Sequence, residues 1–164
     1  MSEYRDYNEG KKITFQSERC YIRPFVNADL DEFLVYRNDL EWMRFQGFKG
    51  LSREEYKEHL LKEPSLENGA QLAIISKSDQ HLVGDVFIKK EEDTFWFGYT
   101  VSPAFKRQGY AYEVADSMIA WIKQQGDFQV KAGVSPENIS SIRLLEKLGF
   151  SRQYEKEGDF IYSL

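Results

Sequence analysis

The hydrophobic period switches at Pro103, and that switch limits the chain to few architectures. Before it, QLAIIS (71–76), HLVGDVFIKK (81–90) and TFWFGYTV (94–101) are short apolar runs separated by polar turns such as KSDQ. Their length, spacing and β-branched or aromatic content predict three strands of an antiparallel meander. After it, Ala111, Val114, Ala115, Met118, Ile119 and Ile122 recur at i, i+3, i+4, i+7, i+8 and i+11. That is the signature of a helix buried along one face.

The flanks extend the pattern. ITFQSERCYIRPF reads as one or two strands ending near Pro24. Asn27 is expected to cap a helix carrying Leu30, Phe33, Leu34 and Arg37 and ending near Asp39. Ser52 and Glu55 form a capping box for a second helix running to about Lys62, before Pro64 and the polar loop SLENG. QVKAGV is a further strand, and a helix starting near Pro136 or Asn138 buries Ile142, Leu145 and Leu148 and stops at Gly149. RQYEKEGDFIYSL closes as a hairpin turning at Glu157-Gly158-Asp159. The predicted class is α+β, with a mixed, mostly antiparallel sheet flanked by about four helices.

Length favours one domain over 1–164, with 1–11 a polar lead-in. With 22 Lys and Arg against 27 Asp and Glu, the net charge is −5. An acidic surface argues against nucleic acid as a partner and is compatible with cationic small molecules or basic peptides. Cys20 stands alone, so no intramolecular disulfide forms. Neither a long apolar run nor the apolar core of a signal peptide is present, so no membrane association is expected and a cytoplasmic location is. His59 and His81 lack partners at metal-ligand spacing, so no metal is expected. The absence of G-x-S-x-G leaves a serine hydrolase unsupported.

The stretch FKRQGYAYEV (105–114) carries the chemistry. Lys106, Arg107 and Gly109 stand immediately ahead of the long helix, whose first N–H groups lack internal acceptors and form the positive end of its dipole. A pyrophosphate fits there, with Gly109 and Ala111 allowing close approach and the cations at the rim. A basic helix-entry loop with a glycine for turn geometry explains the same residues. A P-loop is excluded because no Gly-Lys-Ser or Gly-Lys-Thr follows, and a dinucleotide fingerprint because Gly109 lacks its companion glycines.

KRQGYAYEV resembles the Q/R-x-x-G-x-G/A acyl-CoA loop of the GNAT superfamily of N-acetyltransferases, with Lys106 in the Q/R place, Gly109 as the glycine and Ala111 as G/A. NISSIRLLEKLGF (138–150) resembles the later helix of that superfamily, which commonly reads N-x-x-S…EK-x-GF. YIRPFVNADLDEFLVYRND (21–39) resembles the opening of its RimJ/RimL-like branch. The likeness runs in order from about Cys20 onward.

The resemblance implies a sheet splayed between its fourth and fifth strands, here TFWFGYTV and QVKAGV, with acetyl-CoA as cosubstrate in the opening. Its pantetheine arm would add along Tyr99, Thr100 and Val101, and its pyrophosphate would meet Lys106, Arg107, Gln108, Gly109, Tyr110 and Ala111. Asn138 and Ser141 would line the thioester side. Arg143 or Lys147 would reach a phosphate or else sit on an exposed helix face. A free amine, a protein N-terminus or a small molecule, would attack the thioester directly in a ternary complex. An acyl-CoA-binding regulatory domain without catalysis is the alternative, and a ligand-free interaction module a third reading that leaves Lys106 to Ala111 unexplained.

The departures concern proton transfer. Leu145 stands where many members place an acidic tyrosine, leaving Ser141 as a substitute acid or merely a back-bonded helix serine. The fourth strand holds no glutamate, so Asp85 is expected as a base facing the cleft, with Glu113, Tyr99 and Tyr110 as further candidates. Glu41, Trp42 and Phe45 fall in the region that covers substrate in this superfamily, where the aromatics serve equally as a hydrophobic cluster. Family members commonly dimerise, and the hairpin with Phe160 and Tyr162 offers an edge.

Overall fold

The structure, a computed structural model, describes residues 13–164. The lead-in expected over 1–11 lies outside the described residues. In chain order the elements are β1 (Phe15–Gln16), β2 (Cys20–Pro24), a 3-10 turn (Asn27–Asp29), α1 (Leu30–Arg37) and α2 (Arg53–Leu60). The meander follows as β3 (Ala70–Ser76), β4 (Leu82–Glu91) and β5 (Thr94–Val101). A second 3-10 turn (Pro103–Phe105) leads into α3 (Tyr110–Gln125), β6 (Gln129–Val134), α4 (Ile139–Lys147), β7 (Ser151–Lys156) and β8 (Asp159–Ser163).

All eight strands join one sheet in the order β1-β2-β3-β4-β5-β6-β8-β7. Among the described residues only the β5–β6 pair is parallel. Its register runs Thr94↔Gln129, Phe95↔Val130 and Trp96↔Lys131, and stops there. Beyond Trp96, β5 stays on β4 as far as Val101 while β6 pairs with β8, so the two strands part. This is the splay expected between TFWFGYTV and QVKAGV.

Alternation of side chains across the pleat makes two cores. Leu72, Ile74, Val86, Ile88, Phe95 and Phe97 face α3 and α4, against Val114, Met118, Ile122 and Leu145. Ala73 and Ile75 face α1 and α2, against Phe33, Tyr36, Tyr56 and Leu60. Burying a side chain of this size contributes about 1.5–3 kcal/mol relative to exposure. Asp85, Phe87, Gly98 and Thr100 share the second face, where apolar packing gives way to a polar cavity.

Three local expectations are revised. Asn27 does not cap α1. It opens the 3-10 turn, and the Asp29 carboxylate, held by Arg23, accepts from the Val26 N–H at 2.9 Å. The hairpin does offer an edge, but through β7 rather than β8, where the Tyr162 ring is in the core. The capping box stands as expected, with Glu55 N–H donating to Ser52 Oγ and Ser52 N–H to Glu55 Oε1, but α2 stops at Leu60, short of Lys62. No helix among the described residues is long and apolar enough to cross a membrane.

Candidate active site

The parting of β5 and β6 leaves one edge of β5 without a strand partner. Ser102 N–H donates to Val83 O at 2.8 Å, so by alternation the backbone groups of Thr100 face β4 while those of Tyr99 and Val101 face the opening. Thr100 therefore cannot offer its backbone to a ligand there; its hydroxyl accepts from Arg37 Nη2 at 3.3 Å on the cavity side. Tyr99 and Val101 can. The Trp42 indole already donates to Val101 O at 2.9 Å.

From Val101 the chain turns through Pro103–Phe105 into the basic loop. Arg107 and Gly109 both adopt positive φ, 61° and 83°. Glu113 N–H closes the first helical turn on Gly109 O at 3.1 Å, leaving the N–H groups of Tyr110, Ala111 and Tyr112 without acceptors inside the helix. A Cβ at Gly109 would meet Arg19 Nη2 at 3.5 Å, an ordinary contact. The left-handed backbone is what demands glycine.

Arg19 is a residue the sequence reading missed. Its Nε donates to Glu113 Oε1 at 2.7 Å, its Nη2 donates to Gln108 O at 2.9 Å, and its guanidinium lies 4.0 Å from the centre of the Tyr110 ring. Glu113 also accepts from Ser17 Oγ at 2.5 Å and Arg19 N–H at 2.7 Å. Burial opposes its charge, but the bonds from Ser17 and Arg19 prevail and hold its carboxyl below the usual glutamate range. Glu113 is thereby turned away from the opening toward β1 and β2.

On the far side of the opening, Asn138 caps α4, its Oδ1 accepting from Ser141 N–H at 3.3 Å. The Ser141 hydroxyl accepts from the Tyr99 hydroxyl at 3.2 Å. Burial lifts the Tyr99 phenol above its ordinary range, with partial opposition from the bond to Ser141. Leu145 is in the core, and Arg143 and Lys147 are exposed.

A cavity of about 360 Å³ on the α1/α2 face reaches Tyr99. Arg37, Gln71, Asp85 and Thr100 form its polar wall, with Gln46, Phe48, His59 and Phe87 around them. Asp85 lines it as expected, yet both its oxygens are occupied. Oδ1 accepts from Arg37 Nη2 at 2.6 Å and Gln71 Nε2 at 2.5 Å, and Oδ2 accepts from the Tyr36 hydroxyl. Burial and the adjacent carboxylate push the Tyr36 phenol well above its usual range. The ion pair could have been found from sequence. Arg37 falls on the apolar stripe of α1 and Asp85 within an apolar strand, and opposite charges at two buried positions pair.

Glu41, Trp42 and Phe45 do not line the cavity. Glu41 turns to solvent beside Arg44 at 3.4 Å, Phe45 lies under the Arg44 guanidinium, and Trp42 is drawn to Val101. Gln46 and Phe48 take their place from the same loop. No cluster of three metal-ligating side chains occurs among the described residues.

The family model described as an acetyltransferase (GNAT) domain matches residues 19–151. The chain belongs to the GNAT family. GNAT relatives include the probable N-acetyltransferase YjcK of Bacillus subtilis, 30% identical with 84% of this chain and 83% of that protein covered. The uncharacterized N-acetyltransferase YnaD of the same organism is 26% identical, with 84% and 82% covered. A GNAT acetyltransferase structure from Bacillus anthracis superposes with a TM-score of 0.82 at 22% identity, covering 93% of this chain and 98% of that one. Two further GNAT folds are more distant. Ribosomal-protein-S5-alanine acetyltransferase from Vibrio fischeri has a TM-score of 0.73 at 18% identity, with 93% and 96% covered. Spermidine N-acetyltransferase from Vibrio cholerae, solved with CoA and spermine, has 0.70 at 14%, with 88% and 93% covered.

Proposed function

We propose that this GNAT protein transfers an acetyl group from acetyl-CoA to a primary amine by direct attack in a ternary complex. The observation that carries the reading is the edge of β5 left without a strand partner, which runs from the helix-entry loop to Tyr99, a residue bonded to Ser141 on α4 and also among those lining the cavity. The backbone groups of Tyr99 and Val101 fit an extended amide chain, as a strand partner would. The N–H groups of Arg107 to Ala111, flanked by Lys106, fit a pyrophosphate. Acetyl-CoA supplies the activated carbonyl; everything else falls to this chain's own residues.

In the reaction the amine lone pair forms the C–N bond and the C–S bond breaks. Ser141 gives its proton to the departing sulfur and is reprotonated, through water, by the proton that the attacking nitrogen loses, while Tyr99, kept neutral by burial, donates to the Ser141 oxygen. Asp85 is assigned to the scaffold, because its carboxylate already holds Arg37, Gln71 and Tyr36 and is only 1% exposed, which leaves an incoming ammonium little access. The amine instead sheds its proton to water at the open cavity mouth. Placement in the RimJ/RimL-like branch rests on YIRPFVNADLDEF and is supported by the likeness to the ribosomal-protein enzyme.

The test is amine-dependent release of CoA thiol across a panel of N-terminal peptides, amino acids, aminoglycosides and polyamines. Release with at least one amine, and acetylated product by mass, is expected. Tight acetyl-CoA binding without any release would leave a cofactor-binding domain instead.

A further inference from the structure

We infer that Arg19 is a positioning residue for the cofactor loop, aimed by its salt bridge to Glu113. The inference rests on the reading of residues 106–111 as the pyrophosphate site. Arg19 stands between β1 and β2, 89 residues before Gln108, yet it touches that loop at two points. Nη2 holds the Gln108 carbonyl at 2.9 Å, and the guanidinium lies over the Tyr110 ring at 4.0 Å. Nε and the backbone N–H are both fixed by Glu113, at 2.7 Å each, and Ser17 adds a third donor to the same carboxylate. The β1–β2 turn and the first turn of α3 are thus clamped together.

The consequence follows from peptide geometry. In a trans peptide the C=O and the following N–H point in opposite directions. By drawing the Gln108 carbonyl toward β1 and β2, Arg19 presents the Gly109 N–H on the other side of the loop. Gly109, at positive φ and without a Cβ, borders the Gln108–Gly109 peptide that would turn without this hold. The Glu113 carboxylate neutralises Arg19, so its effect acts through the direction of backbone dipoles, whereas Lys106 and Arg107 supply the charge.

Calorimetric titration of acetyl-CoA into wild type, Arg19→Ala and Arg19→Lys, with steady-state kinetics on each, tests this. Arg19→Ala should weaken acetyl-CoA binding about tenfold or more and raise its KM alike, leaving saturated kcat and the amine KM within about twofold. Arg19→Lys should recover only part, because an ammonium lacks the fork that spans Glu113 and Gln108 together. Should Arg19→Ala unfold, Glu113→Gln, which loosens the same clamp, gives the same readout in the same direction. Folded variants that bind acetyl-CoA as tightly as wild type would overturn the inference alone. A wild type that fails to bind acetyl-CoA would overturn the proposed function and the inference with it.

Discussion

The Tyr99 hydroxyl donates to Ser141 Oγ at 3.2 Å and so joins β5 to α4 across the gap where β5 and β6 part. Because Tyr99 supplies the hydrogen, the Ser141 proton is free to point elsewhere, toward a leaving sulfur. Ser141→Ala should therefore lower kcat by about 10²–10⁴-fold with little change in the KM for acetyl-CoA. Tyr99→Phe should cost less, and the double variant no more than Ser141→Ala alone, since the two act as one unit. Steady-state kinetics of the three variants measure this; additive losses would separate the pair.

Asp85 and Arg37 form an ion pair that is almost wholly buried, with side chains 1% and 4% exposed. Removing one partner strands the other charge in a low-dielectric site. Asp85→Asn should destabilise the fold by about 3–5 kcal/mol, read as a lower urea midpoint. The acid limb of the kcat/KM profile should persist in the surviving folded protein, because it belongs to the acceptor amine. Loss of that limb in Asp85→Asn would make Asp85 the base.

Glu113 links stability to acid. Its carboxyl is held below the ordinary range in the folded chain, so below about pH 4.3 the unfolded chain binds the extra proton first. The stabilisation is present in full above the unfolded value and is lost as pH falls through the folded one. Urea midpoints of wild type and Glu113→Gln should differ near neutrality and converge in acid. A constant gap across that range would contradict the linkage.

Cys20 is fully buried, and burial first, then the Glu113 charge, pushes its thiol up to about 11. At pH 8 only about one thiol in a thousand would be ionised, even before access is counted. A chromogenic disulfide reagent should find no thiol in the native protein and one equivalent in denaturant. Rapid labelling of native protein would place Cys20 outside the core.

What the sequence made legible was whatever depends on local period. The meander from Ala70 to Val101, α3 behind Gly109 and α4 behind Asn138 all follow from strand alternation, helical stripes and capping residues. The stretch proposed for acetyl-CoA, Tyr99 to Ala111, could be marked out for the same reason, since its residues are nearly contiguous. The cavity lining could not. Gln46 and Phe48 come from a loop, His59 from α2, Gln71 from β3 and Phe87 from β4, and no spacing relates these elements. Arg19 escaped notice because its partners, Gln108 and Glu113, lie a sheet's width of chain away. Glu41, Trp42 and Phe45 belong to the loop that supplies Gln46 and Phe48 yet do not line the cavity, because an irregular segment has no period from which to read a facing direction.

The most direct measurement is backbone amide hydrogen exchange with and without saturating acetyl-CoA. Protection confined to Phe97–Val101 on the open edge of β5 and to Arg107–Ala111 at the start of α3 is the predicted result. Binding that leaves both segments unchanged, or that protects β7 or α2 in their place, would contradict the assignment of the opening between β5 and β6 as the acyl-donor site.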